Sequence, residues 1–277
     1  MQIVDGTGGF EYLAGETVLV IVAHADDPTL FCGGTLALMA DAGARVVMLR
    51  VTRDQTDSIG LDPEETARLN TSELAVAAAL LGISEVVDLG YESDQLADVR
   101  ETELREHFIR AVRRFRPYAV ISYDPYGAFH EDNQDHICVG AAVDETYWTA
   151  MFDKHHPEHI AAGLEPHGVV ERWYFARDLV KVTTVVDVGS GIERKIEAAC
   201  AQRTMLTHIA HQLTLLARTA RADVPMLSDA IADPRSFATA MIRAGSGERG
   251  SAHGLAYAEE FRVVRFAGFE ALFAGDT

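Results

Sequence analysis

Near the start of the chain His24, Ala25, Asp26 and Asp27 set an imidazole and two carboxylates directly after the apolar run VLVIVA (18–23). A second group of the same kind, NQDH ending on His136, follows the apolar run YAVIS (118–122) and the polar stretch YDPYGAFHED. Imidazoles and carboxylates bind metals and move protons. Three donors of types His, Asp and His leave the fourth position of a Zn²⁺ ion open to water, which marks a catalytic rather than a structural site. A carboxylate beside a ligand but not needed as one, Asp26, can then act as general base. Helix capping competes for Asp27, because Asp27-Pro28 also suits the start of a helix, but capping leaves His24 and Asp26 without a role.

Both groups need one edge to meet on. Segments 17–23 and 45–51 are short β-branched runs separated by TLFCGGTLALMADAG, which ends on Gly43 as a helix does. The pattern continues with a helix over 63–81 stopped by Gly82, a strand over 85–89, a helix over 99–115 stopped before Pro117 and a strand over 118–122. Alternation at this rhythm predicts a Rossmann-like three-layer α/β/α sandwich with a mostly parallel sheet. Ligands of such sheets lie at the carboxyl ends of the strands, where both polar groups fall. Further on, 135–151 reads as helix, 172–176 and 183–187 as strands, 192–217 as one helix and LAYAEEFRVVRF as a closing extended segment. One domain over 1–277 is expected, with 211–255, rich in Gly and Ser, a less regular elaboration.

With 277 residues, 48% hydrophobic and 24% charged, the chain is a globular protein. Its formal net charge of −18 repels nucleic acid and anionic membrane surfaces. The absence of a signal-like start or a membrane-length apolar run is the basis for expecting a cytoplasmic protein. Cys32, Cys138 and Cys200 form no C-x-x-C pair, so a metal here relies on His and carboxylate. The histidines of KHHPEHI read as a solvated loop, and His208 with His211 as a half-buried helix pair. A homo-oligomer is left open.

The motifs resemble the LmbE-like (PIG-L) family of zinc-dependent de-N-acetylases. Its AHPDDE motif stands here as AHADDP (23–28), followed by FCGGTLA; its H-P-D-H stands as NQDH (133–136) after DPYG; and AYAEEFR (256–262) resembles its C-terminal segment. The resemblance implies that His24, Asp27 and His136 bind Zn²⁺, that Asp26 is the base, and that Arg68 and Asp94 contact substrate. Position alone, near the strand ends, makes Arg53 a further candidate for substrate binding. It implies hydrolysis of the N-acetyl group of a small polar amide, an amino sugar or sugar-derived metabolite. Asn133 replaces the histidine that in the family stabilises the oxyanion or protonates the leaving amine; Asn133 keeps a donor, and His130 in the lengthened loop offers a proton. Gln202 and Met205 stand where a family helix carries His and Gln. Two rival functions are a non-catalytic relative binding a sugar or nucleotide in the same crevice, and a two-metal phosphoesterase.

Overall fold

The computed structural model describes residues 1–228, 230 and 233–273; positions 229, 231–232 and 274–277 of the expected domain lie outside the described residues. The strands are β1 (Gln2–Val4), β2 (Thr17–Val22), β3 (Arg45–Thr52), β4 (Ile83–Tyr91), β5 (Ala119–Tyr123), β6 (Glu171–Phe175), β7 (Thr184–Asp187) and β8 (Ala258–Arg265). They form one sheet in the order β1-β7-β8-β6-β5-β2-β3-β4. Every pairing is parallel except those of β8, which runs antiparallel to both β6 and β7. The mostly parallel α/β architecture expected from the sequence is therefore present. β2 lies between β3 and β5 and is buried from Val18 to Val22, which is why it reads as a continuous apolar run rather than an alternating one.

The helices are α1 (Asp27–Asp41), α2 (Pro63–Leu81), α3 (Glu101–Phe115), α4 (Gln134–Ala150), α5 (Pro157–Ala161), α6 (Ile192–Ala201), α7 (Arg203–Ala220), α8 (Pro225–Ser228), α9 (Pro234–Ala252) and α10 (Glu270–Phe273). α1, α2, α6 and α9 pack together, and α3 packs on α4. Local chemistry sets several ends. Asp62 caps α2 by accepting from the amides of Glu64 and Glu65, and Gly82 closes it at φ 77°.

Two expectations need correction. The helix over 192–217 is two helices, broken at Gln202, whose side chain leaves the helix to donate to the Ala25 carbonyl at 2.7 Å. The segment 211–255 is helical over most of its described length, and α9 runs through GSGERGSA. Gly250 serves close packing: a Cβ there would lie 2.8 Å from the Leu255 carbonyl. β1 went unpredicted because it is three residues long and draws its order from β7.

α1 is not continuous. Cys32 leaves helical geometry at φ −140°, freeing the amides of the turn that follows. Glu259 of β8 takes them: its carboxylate accepts from Gly34 at 2.9 Å and Thr35 at 2.8 Å while Lys195 of α6 donates to it at 2.6 Å. All three partners are buried, Lys195 at 3% and Glu259 at 2% exposure. The paired glycines of FCGG allow the approach, since a Cβ on Gly34 would meet Val188 at 2.7 Å.

Candidate metal centre

β2 and β5 are neighbours and parallel, so the segments that leave their carboxyl ends emerge together. The first enters α1 through His24–Asp27; the second turns through 124–133 into α4. Asp27 and His136 each lie in the first turn of a helix, where the helix dipole favours a carboxylate and disfavours a charged imidazole. His24 Nδ1, His136 Nε2 and an Asp27 oxygen converge: the two nitrogens are 3.1 Å apart, His136 Nε2 is 3.2 Å from Asp27 Oδ1, and His24 Nδ1 is 3.5 Å from Asp27 Oδ2. Donors bonded to a tetrahedral Zn²⁺ at 2.0–2.1 Å sit ~3.3 Å from one another. The donor set and its spacing suit such an ion.

Each histidine also has a carboxylate behind it. His24 Nε2 is hydrogen-bonded to Asp135 Oδ2 at 3.3 Å, and His136 Nδ1 lies 3.0 Å from Glu131 Oε2, an ion-pair contact out of line for a hydrogen bond. Acids on the outer nitrogens fix ring orientation and turn the inner nitrogens to a common point. Asp135 is itself held by the amides of Asp94 (2.7 Å) and Leu96 (3.3 Å). Asp27 Oδ2 accepts from the His24 amide at 2.6 Å and from the Tyr123 hydroxyl, and the Tyr123 ring stacks on His136 at 4.4 Å. Oδ1 is thereby left facing His136.

Electrostatics follow from four acids and two imidazoles in a buried space. Burial opposes charge on His136, but Asp27 and Glu131 outweigh it and lift the group to about 9. Burial likewise opposes charge on His24, and Asp135 and Asp27 raise it well above its usual value. For Asp27 burial is overcome by the two imidazoles, which hold its carboxyl well below the usual range. Asp26 is pushed up to about 8 by burial and then by the Asp27 charge. The anionic cluster thus draws positive charge to itself, as a cation site does.

Asp26, 9% exposed, occupies the N-cap position of α1 and makes no capping hydrogen bond there, so its carboxylate has no structural task in the helix. Asn133 does have one. It is the N-cap of α4, its Oδ1 accepting from the Asp135 amide at 2.9 Å. Its side-chain oxygen thus holds the helix that carries His136, through an atom other than the amide nitrogen that would donate to an oxyanion. Asn133→Ala should lower stability by about 1 kcal/mol, and Asn133→Asp should retain the cap; urea unfolding of the two variants checks this, and equal losses would show that the cap is idle.

The remaining expected residues are dispersed. His130 is 66% exposed and pairs with Asp178 at 2.7 Å on the surface. Arg68 is 64% exposed and engaged by Glu65 of its own helix. Arg53 lies between Glu64 (3.0 Å) and Glu92 (3.7 Å). Asp94, at φ 63°, is exposed and contributes its amide to Asp135. Glu131, Tyr123 and Asp54 were not singled out from sequence. Asp54 follows β3 at the same sheet edge, so the strand-end rule applied to TRDQTD could have found it; Glu131 and Tyr123 carry no spacing signal.

Two other acid–histidine groups lie within ligand distance of one another. In the first, His24–Asp54–Asp57, Asp54 is already bound by the Ala25 amide (3.0 Å), Arg50 (3.2 Å) and Thr52 (2.8 Å). Its role is to hold the β2 and β3 ends together, which weighs against a two-metal site. In the second, His156–Glu158–His159, both ring nitrogens of His159 are taken, by Glu106 at 2.7 Å and Arg113 at 3.2 Å.

An α/β protein with a His–Asp–His centre at the carboxyl edge of a parallel sheet is the class that fold and site define. Within it, residues 19–147 match the model of the PIG-L family, described as GlcNAc-PI de-N-acetylase. The chain is 30% identical over 157 residues to the 1D-myo-inositol 2-acetamido-2-deoxy-alpha-D-glucopyranoside deacetylase of Kineococcus radiotolerans, which is 46% of this chain and 43% of that protein. It is 27% identical over 183 residues to the diacetylchitobiose deacetylase of Thermococcus kodakarensis, covering 65% and 67%. The first match spans less than half the length of the relative. In fold, the N,N'-diacetylchitobiose deacetylase of Pyrococcus horikoshii is similar, with a TM-score of 0.74 and 22% identity over 95% of this chain and 86% of that one. No helix among the described residues is long and apolar enough to cross a membrane.

Proposed function

We propose that the chain is a zinc-dependent N-deacetylase acting on a small N-acetylated amino sugar. The observation that carries the reading is the paired arrangement in which His24 and His136 each have an acid at the outer nitrogen and face Asp27 with the inner one. In this assignment His24, Asp27 and His136 hold the ion. A Zn²⁺ ion so bound supplies Lewis acidity toward the amide carbonyl and lowers the pKa of water. Asp26 accepts the proton of the attacking water and delivers it to the amine nitrogen as the C–N bond breaks, giving acetate and the free amine. A carboxyl that burial and Asp27 keep ready to hold a proton suits both halves of that transfer. Tyr123, Glu131 and Asp135 position the ligands, and Asp94 positions Asp135 through its amide.

The test is acetate release from a panel of N-acetylated sugars by protein of measured zinc content. About one equivalent of zinc per chain is expected, with His136→Ala losing most of it because one of three protein ligands is gone. Zinc near zero that is not restored by added zinc, or full zinc in His136→Ala, overturns the site. A zinc-loaded protein that releases no acetate from any member of the panel overturns the activity and favours the binding module.

A further inference from the structure

β8 runs antiparallel to β6, with Arg262 opposite Tyr174, so its first residues lie at the same carboxyl edge as the two histidine–acid motifs. Residues three apart on a strand face opposite sides of the sheet. Glu259 turns to α1 and α6. Arg262 turns to the face covered by α4: its guanidinium lies over the Tyr174 ring at 4.2 Å, and the Tyr174 hydroxyl donates to Asp144 of α4 at 2.7 Å. From there Arg262 reaches the residue that follows β5. Its Nε donates to Asp124 Oδ2 at 2.7 Å and its Nη2 to Oδ1 at 2.9 Å, a bidentate pair in which the Asp124 side chain is fully buried. A tie between strands would join Arg262 to β6, its neighbour; Arg262 instead passes over β6 to hold a loop.

Asp124 is where the loop to the second motif begins. Its Oδ1 also accepts from the Tyr126 amide at 2.9 Å, its carbonyl accepts from the Gly127 amide at 3.0 Å, and its own amide donates to the Phe175 carbonyl at 2.7 Å. The turn lies tight against the segment after β6, since a Cβ on Gly127 would meet Ala176 Cβ at 2.8 Å. One turn of 3-10 helix, Gly127–His130, then leads to Glu131. Glu131 Oε1 accepts from the Asn133 amide at 2.9 Å and from Arg177 Nε at 3.1 Å, while Oε2 lies 3.0 Å from His136 Nδ1. The clamp on Asp124 therefore sets the start of the loop whose far end brings an acid to a histidine of the centre.

We infer that Arg262 is a positioning residue of the metal centre: by clamping Asp124 it sets the loop that aims Glu131 at His136, so that β8 braces both motifs, the first through Glu259 and the second through Arg262. The inference rests on the zinc reading of His24, Asp27 and His136. Its test is the zinc dissociation constant of the full chain, measured by competition with a chelating indicator. A carboxylate behind a metal-bound histidine is typically worth about 10- to 100-fold in affinity, so Glu131→Gln should weaken zinc binding by that range and Arg262→Gln by about tenfold. The two together should be no weaker than Glu131→Gln alone, because Arg262 acts through Glu131. Arg262→Lys, which keeps the charge and loses the two-pronged geometry, should fall between the wild type and Arg262→Gln. Circular dichroism and melting temperature report folding. If Arg262→Gln does not fold, Asp124→Asn with Arg262→Gln, which leaves no buried charge unpaired, takes its place with the same expectation. Wild-type zinc affinity in the folded variant, or losses that multiply when it is combined with Glu131→Gln, overturns the inference and leaves the pair a structural tie. A wild-type chain that binds no zinc overturns the metal reading and the inference with it. If the zinc affinities follow the expected pattern but no N-acetylated sugar releases acetate, the deacetylase reading fails while Arg262 keeps its role.

Discussion

Asp26→Asn is expected to keep its full metal content and to lose turnover by roughly 10²–10⁴, the range for a positioned acid–base group. The structure makes this substitution informative. Asp26 makes no capping bond in α1, so the amide does not deprive the helix of a hydrogen bond, and the three converging donors come from other residues. Asparagine keeps the shape and cannot take a proton. The same variant should also fold at least as well, because it removes a carboxyl that burial and Asp27 already resist ionising. If metal and turnover disappear together, Asp26 is a ligand and the roles assigned here are wrong; if turnover persists, the base is elsewhere.

The second large effect is on stability. Glu259→Ala should cost about 3–5 kcal/mol, because it leaves the Lys195 ammonium buried without a counter-charge and strands the amides of Gly34 and Thr35 at the break in α1. Urea unfolding followed by far-UV circular dichroism would show the loss as a lower midpoint at similar slope. The double variant Lys195→Met with Glu259→Gln should recover part of it, since the unpaired charge is then gone. A loss below about 1 kcal/mol in Glu259→Ala, with no partial recovery to explain, would mean that the pair is not as buried in solution as its 3% and 2% exposures indicate.

Much of the alternating α/β pattern is legible in the sequence, and the reason is local. Apolar β-branched runs such as TVLVIV and glycines such as Gly82 decide strands and helix ends within a few residues. The two histidine–acid motifs are legible for a related reason: each is continuous in the chain and each follows a strand, so the sheet brings both to one edge. What was hidden depends on distant partners. The break at Cys32 needs a carboxylate 225 residues away to receive the Gly34 amide. The end of α9 looks like a loop until Gly250 is seen against the segment preceding β8. The cap that the Asn133 oxygen makes on the Asp135 amide carries no signal in the chain, and the stacking of Tyr123 on His136 joins residues with no periodic relation.

The Glu259 contact also orders events in time. α1 opens with Asp27, at the amino end of the chain, but the acceptor for its broken turn belongs to β8, near the other end. A nascent chain that has emerged only as far as residue 257 holds every histidine and aspartate of the triad, and the whole of segment 19–147, while the second half of α1 has no cap and Lys195 no partner. Contacts of such long separation are slow to form. The second half of α1 is therefore completed only when β8 docks, so the helix that opens on the first motif takes its final shape from a partner 225 residues further along the chain.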